Sequence, residues 1–391
     1  DDVPLLDVRA PVEFAEGAFP HTENHPLITD AERHEIGIRY KDLGQDAAID
    51  LGHELVRGRT RAERIAAWQH FARKHPGAVL YCFRGGMRSK ISQRWLHEVA
   101  GLQIPRVKGG YKALRRYLIG VLSNAAAEVR AIRLGGRTGV GKTLLIRQLP
   151  GAIDLEGLAW HRGSAFGRHA TPQPTQISFE NHLAIALLKH GAGGDRRLII
   201  EDEGRAIGSV HIPNALHDAF RRSPLVVLEA TLEERVANTL REYIHEALAE
   251  YCRASGSADG FEAWAAYLLD SIDRIRKRLG GVRHRELRQI METAISAHRT
   301  HGETEQHRHW IERLSRRHPW PPQPVLFSAF FDWSYVFDYH RRRGVVFASS
   351  TDRMEKWRRY VEERNVTELS AMPVTGAARI PEPTTVSYTH L

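Results

Sequence analysis

The octapeptide GRTGVGKT (136–143) restricts this chain more than any other stretch. It fits G-x-x-x-x-G-K-[ST], with the apolar run AIRLGG (131–136) before it and a helical pattern, LLIRQL (144–149), after it. A strand that turns into a helix through glycines gathers backbone N–H groups at one point, where phosphate oxygens are held. Gly136, Gly139 and Gly141 permit the close approach, Lys142 supplies a point charge, and Thr143 offers a hydroxyl to Mg²⁺. Such a loop cradles a diphosphate whatever is esterified to it, so binding does not entail hydrolysis. No N-K-x-D-type guanine reader follows.

The chain around this loop alternates strands and helices, which predicts a parallel sheet. RRLIIEDE (196–203) is an apolar strand with an acidic end. Asp202 is expected in the metal shell, directly or through water, beside Glu201 and Glu203; the competing reading pairs these carboxylates with Arg196, Arg197 or Arg205. PLVVLEA (224–230) is a further core strand. DLEGLAWHRGSAFG (154–167) brings Glu156, His161, Arg162 and Ser164, followed by Arg168, and QISFENHLA (176–184) adds Glu180 and Asn181. His161 and Arg162 are candidates for diphosphate or RNA contact. Further on the pattern becomes helical, with Phe261, Trp264, Leu268, Ile272, Ile275 and Leu279 on one stripe and Arg274, Lys277 and Arg278 opposite. RGVVFAS (343–349) reads as a strand returning to the sheet. Beyond residue 366 periodicity is lost, and disorder is expected through the terminal PEPTTVSYTHL.

A separate alternating unit precedes all this. VPLLDV (3–8), AVLYCF (78–83) and QIPRV (103–107) read as strands, and residues 60–75 carry Ile65, Trp68, Phe71 and Ala72 at helical spacing. YCFRGGMRS (81–89) places Cys82 where a parallel strand ends, the usual place for ligand sites on such sheets. The loop through Arg84, Gly85, Gly86 and Arg88 can turn N–H groups and positive charge toward the sulfur. Those features favour a thiolate, the nucleophilic form, and stabilise a terminal sulfur or selenium carried on it. The plainer reading is a buried cysteine before a glycine turn. Cys252 has no comparable setting and reads as structural.

Two cysteines make no disulfide framework, and a reducing cytoplasm is expected. No apolar run reaches the roughly 18 residues of a membrane helix, and the chain opens already entering a strand, as if N-terminal residues were missing. A formal net charge of +9 and a sequence pI near 9.6 suit a polyanionic partner, and equally suit simple solubility. Arg274, Lys277, Arg278, Arg283, Arg285, Arg316–Arg317 and Arg341–Arg343 are the collection from which phosphate contacts would come.

LLDVRAPVEFAEGAFPHTENHPL (5–27), CFRGGMRS (82–89) and VKGGYKAL (107–114) together resemble a rhodanese domain. The resemblance implies that Cys82 carries a persulfide or its selenium analogue, and that Asp7, Arg9 and Glu13 make scaffolding contacts. RYKDLGQDAAIDLGHELVRG (39–58) is longer than a minimal rhodanese needs and is expected to shape a substrate entrance.

A rhodanese loop ahead of a phosphate loop, with DLEGLAWHRGSAFG, SFEN and EDEGRAIGS, resembles the tRNA 2-selenouridine synthase family over roughly residues 3–363. The resemblance implies an α/β fold: a rhodanese-like parallel-sheet domain (1–125), a P-loop NTPase-like core (126–235), a helical extension with a return strand that contacts tRNA (236–366) and a disordered tail (367–391). It implies a transferase that geranylates a wobble 2-thiouridine from geranyl diphosphate and replaces the sulfur with selenium from selenophosphate, with a selenophosphate-supplying enzyme as a partner and no membrane. The rivals are a rhodanese-fused P-loop ATPase or kinase with a regulatory sulfur site, and an RNA-binding or sulfur-carrier module with a degenerate phosphate loop.

Overall fold

The structure, a computed structural model, describes residues 2–193, 197–316 and 346–348. The chain divides into two compact units. The first holds the residues through Glu128 with Gln173–Gly194 and Ser209–Leu216; the second holds Val129–Pro172, Asp195–Gly208 and the chain from His217 onward.

The first unit opens with β1 (Leu5–Asp7), α1 (Pro11–Glu16), β2 (Thr22–Asn24), α2 (Asp30–Leu55), α3 (Gly58–Lys74), β3 (Val79–Tyr81), α4 (Met87–Ala100) and α5 (Gly110–Glu128). Its strands form a parallel sheet in the order β2-β1-β3. The expected strand at 103–107 is reduced to a single bridge between Arg106 and Leu80. Trp68, Phe71, Leu6, Leu80 and Leu96 fill the core, matching the helical stripe read from residues 60–75. Most of segment 39–58 is helix, and α2 breaks at Gly44, whose φ of 84° lies where glycine is favoured.

Asp7 and Arg9 form a wholly buried ion pair at the end of β1. Arg9 Nε donates to Asp7 Oδ2 at 2.8 Å, Nη2 donates to the Gly17 carbonyl at 2.7 Å, and the guanidinium lies 3.9 Å from the Tyr111 ring centroid. Truncating one member leaves the other charged and unpaired, which costs about 3–5 kcal/mol. Arg9→Met is therefore expected to destabilise this unit by that amount, read as a lowered urea midpoint, and Asp7→Asn added to it to recover part of the loss.

The second unit begins with β4 (Arg130–Gly136), α6 (Lys142–Ile146), β5 (Ala152–Ile153) and α7 (Leu155–Ala159). After α8 (Gln176–Ala192) come β6 (Arg197–Glu201), the short strands β7 (Ala206–Ile207) and β8 (Val210–His211), α9 (Asn214–Arg222) and β9 (Leu225–Leu228). Helices α10 (Leu232–Leu240), α11 (Ala247–Ser255), α12 (Ser257–Arg274), α13 (Arg276–Leu279), α14 (Gly281–His301) and α15 (Gln306–Arg316) follow, with a π-helical turn at Arg241–Glu246. β10 (Val346–Ala348) is the return strand, and the all-parallel sheet runs β10-β9-β4-β6-β5. The fold is thus α/β with parallel sheets and a helical C-terminal part. Trp264, Leu268 and Ile272 are buried as the stripe predicts, but the helix ends at Arg274 and restarts at Arg276.

Helix α8 departs from the sequence reading, which put it in the second unit. Asn181 is fully buried in the first unit, where its Nδ2 donates to the Ala18 carbonyl at 2.9 Å and its Oδ1 accepts from Arg115 at 3.0 Å. Ser178 Oγ accepts from the Ala18 N–H at 3.0 Å. SFEN is an anchor for the loop after α1, and Glu180 is paired with Arg115. Arg196, Arg317, Arg341–Arg343 and the tail from 367 lie outside the described residues.

Candidate functional sites: a thiol loop and a phosphate loop

Cys82 follows the last residue of β3 and is 2% exposed. Its thiol donates to Ser89 Oγ at 3.2 Å, and that hydroxyl donates to the Gly86 carbonyl at 3.1 Å. The loop is locked from behind by the GGY turn. The Tyr111 N–H donates to the Cys82 carbonyl at 2.9 Å and the Lys112 N–H to the Phe83 carbonyl at 2.9 Å. Gly110 (φ 57°) passes so close that a Cβ there would stand 2.2 Å from the Cys82 oxygen, and one on Gly85 (φ 66°) would stand 2.7 Å from the Gly109 nitrogen. Only glycine fits at either place.

The two arginines of the loop differ. Arg84 is exposed. Arg88 is half-buried and forms a two-pronged pair with Glu13 through Nη1–Oε2 and, at 3.0 Å, Nη2–Oε1. Burial opposes the Arg88 charge, but Glu13 more than offsets it and raises the guanidinium pKa; Cys82 adds to the rise. Burial likewise pushes against the Glu13 carboxylate, which Arg88, the Ala10 N–H and Arg33 together hold below the usual range. Glu13 thus fixes a permanent cation at the start of α4, within electrostatic reach of Cys82.

In the second unit, β4 leads into the phosphate loop at the centre of the sheet. Gly136, Gly139 and Gly141 all have positive φ, at 144°, 79° and 91°. A Cβ on Gly139 would stand 2.5 Å from the Arg235 carbonyl. Helix α10 holds the loop: Arg235 Nε donates to the Thr138 carbonyl at 3.0 Å and Asn238 Nδ2 to the Gly139 carbonyl at 2.8 Å. Lys142 Nζ turns back on the Gly136 carbonyl at 3.1 Å, and Thr143 Oγ1 donates to Glu156 Oε2 at 3.0 Å. The following helix, expected over 144–149, is shorter, because Pro150 and Gly151 (φ 71°) turn the chain into β5.

A cavity of about 170 Å³ opens over this loop. Glu156, His161, Arg162 and Ser164 line it, together with Trp160, Asn238 and Glu242, which the sequence reading did not single out. Asp202 does not line it. Its Oδ1 pairs with Arg133 on the neighbouring strand, an arginine inside the apolar run read at 131–136. The nearby acids are Glu156 and Glu203: a Cβ on Gly163 would lie 2.1 Å from Glu156 Oε1 and 2.9 Å from Glu203 Oε1.

Burial raises the pKa of Glu201 to about 8, aided by Asp154 and Glu156. Burial, with Glu156 adding, also lifts Glu203 well above the carboxylate range. Glu242, in the π-helical turn, is raised to about 7 by burial against the opposing pull of Arg162. His161 is driven down to about 4 by burial and by His169, Arg274, Arg162 and Arg168, so it is neutral at physiological pH. Arg162 already bonds Glu250 at 2.8 Å and the Arg168 carbonyl at 3.0 Å. It orders the cavity wall. Ser164 Oγ lies 2.7 Å from the Tyr243 hydroxyl. Among the described residues no group of three or more His, Cys, Asp or Glu is arranged to cage a metal.

Of the proposed basic collection, Arg274 pairs with Asp270, and Arg283 donates to the Arg313 carbonyl. Lys277, Arg278 and Arg285 are exposed. No described helix is long and apolar enough to cross a membrane.

Fold and loops define an α/β chain of two units, the second built round a strand–loop–helix of the P-loop type. Residues 129–363 match the family model described as the tRNA 2-selenouridine synthase AAA domain. The tRNA 2-selenouridine synthase of Bordetella bronchiseptica is 53% identical over 313 residues, 80% of this chain and 85% of that one. That of Cupriavidus pinatubonensis is 48% identical over 357 residues, 91% and 94% of the two chains. The chain belongs to the tRNA 2-selenouridine synthase family. A solved N-terminal domain of a putative ATP/GTP binding protein from Clostridium difficile 630 is 31% identical, covers 30% of this chain and 91% of its own, and has a TM-score of 0.27, too low to bear on the fold.

Proposed function

We propose that this chain acts on tRNA in the cytoplasm, first alkylating the sulfur of a wobble 2-thiouridine from geranyl diphosphate and then exchanging that sulfur for selenium from selenophosphate. The observation that carries the reading is the presence, in one member of this family, of a glycine-locked thiol loop at Cys82 and a phosphate loop at Lys142.

In the first step the thiocarbonyl sulfur attacks C1 of the geranyl group. The S–C1 bond forms, the C1–O bond breaks, and diphosphate leaves with the electron pair. Lys142 and the loop N–H groups hold the charge that develops on it. Mg²⁺ commonly binds through one or two protein oxygens plus phosphate oxygens and water, and Thr143 with Glu156 fits that pattern better than Asp202 does. When bound it would help neutralise the departing diphosphate.

Alkylation turns the base into a form that has lost its N3 proton, so a base is required. Glu242 lines the cavity and titrates near 7, which suits the task. Only its ionised form accepts a proton. Alkyl transfer is therefore expected to rise with pH through about 7 and level off above it, and Glu242→Gln to flatten that rise and lower the plateau by about 10²-fold. Initial rates across the pH range check this.

In the second step selenium attacks C2, the C2–Se bond forms, and the C2–S bond breaks. The departing geranylthiolate is a far better leaving group than the sulfur of an unalkylated thiocarbonyl. Selenophosphate held at the Cys82 loop attacks through its selenium, which stays at the selenide level throughout. The Cys82 thiolate takes the phosphoryl group as the P–Se bond breaks, water then releases phosphate from the sulfur, and Arg88 is the fixed countercharge. Exposed Lys277, Arg278 and Arg285 are among the groups offered to tRNA phosphates, so binding weakens steeply with salt. Mass spectrometry of tRNA nucleosides after incubation with both co-substrates tests the whole reading; recovery of unmodified 2-thiouridine alone overturns it.

A further inference from the structure

The first unit contains a cavity of about 510 Å³ that the chemistry above does not use. It lies between the long helix α2 and the start of α4, and Met87 and Arg88, which follow the Cys82 loop directly, are part of its wall. Ile28, Ala48, Val56, Ile91 and Trp95 make an apolar floor. At its edge Ile38, Tyr40 and Met87 are 48%, 57% and 48% exposed, apolar surface that a solvated helix gains nothing by displaying. Arg33, His34 and Lys41 add a basic border.

Three properties narrow the occupant. A volume of this size is typical of small-molecule sites, and the floor selects hydrocarbon. The basic border suits a ligand that carries phosphates outside the cavity. The shared wall puts the ligand's polar end beside the chalcogen loop. A free prenyl diphosphate would need a phosphate cradle in the cavity wall, and no residue of the glycine-rich loop 136–143 lines this cavity. A hydrocarbon chain joined through sulfur to a nucleobase of an RNA strand satisfies all three.

We propose that this cavity is the subsite for the aliphatic chain of an S-alkylated nucleobase, with the alkylated sulfur at the Cys82 end. The assignment rests on the proposed function for the identity of the alkyl group, and it deepens that reading by placing the chain during sulfur replacement. The insertion that lengthens α2 is then a substrate-recognition device, and the two loops use different apolar surroundings for the same hydrocarbon.

The test uses the full chain and fluorescent anticodon stem-loops carrying S-geranyl- or S-methyl-2-thiouridine. Wild type is expected to bind the geranyl form at least about tenfold more tightly. Ala48→Trp, which fills the floor, is expected to erase that preference while leaving affinity for the S-methyl form unchanged. Ile38→Asp, at an exposed position that folding does not depend on, serves where Ala48→Trp does not fold, and is expected to reduce the preference several-fold. No preference in wild type, or a preference that survives the folded variants, overturns the assignment. Alkylation from geranyl diphosphate is measured in parallel. A chain that binds the geranyl form through this cavity but does not alkylate tRNA upholds the subsite and overturns the proposed first step.

Discussion

Lys142→Ala is expected to reduce alkyl transfer from geranyl diphosphate by about 10³-fold, while tRNA already alkylated on sulfur is still converted to 2-selenouridine. The ammonium group turns back on the phosphate loop, 3.1 Å from the Gly136 carbonyl, and Lys142 lines the cavity over that loop. Charge builds on the leaving group as the C–O bond lengthens, so a preorganised cation there acts mostly on the transition state. Arg235 and Asn238 grip the loop carbonyls and leave its shape independent of the lysine side chain. The variant should therefore fold normally and lose rate more than tRNA affinity. Single-turnover assays on thiolated and on pre-alkylated tRNA separate the steps. Equal loss in both would mean that the loop is no leaving-group site, and rapid Lys142-dependent nucleotide hydrolysis would favour the ATPase alternative.

Cys82→Ala is expected to give the reverse: S-geranylated tRNA accumulates and 2-selenouridine falls below detection. The side chain is small and buried, among the described residues its thiol bonds only to Ser89 Oγ, and the backbone round it is held by Gly85 and Gly110, so alanine leaves the loop standing. What disappears is the nucleophile beside the Arg88–Glu13 pair. The phosphoryl group of selenophosphate leaves selenium either to Cys82 or directly to water, and full selenation by the alanine variant would establish the water route. Arg88→Met tests the countercharge separately: it removes the cation but keeps the thiol, and slower selenation with intact alkylation is the expected outcome.

Local patterns carried much of this in the sequence. Both loops were legible because glycine at fixed spacing, a strand before and a helix after have few other uses, and the buried stripe of α12 follows directly from helical spacing. Long-range pairing was not legible. Asp202 reads as a metal ligand until the sheet register sets Arg133 beside it. Arg162 looks like a free cation until Glu250, far along the chain, is seen to bind it. Glu242 and Asn238 had no motif to mark them, since only the packing of α10 and the π-helical turn against the loop gives them a role. Helix α8 carries the same lesson at larger scale: its polar residues belong to partners that no window of sequence contains.

The excursion of α8 also sets an order of maturation. The first unit is not complete when residue 128 leaves the ribosome; it waits for a segment ending at Leu216, and by then much of the second unit's sheet has been synthesised. A polypeptide cut at the apparent boundary would emerge with Ala18 and Arg115 lacking their Asn181 partner. Neither half is separable by simple truncation, which ties the synthesis of the two chemistries into one event.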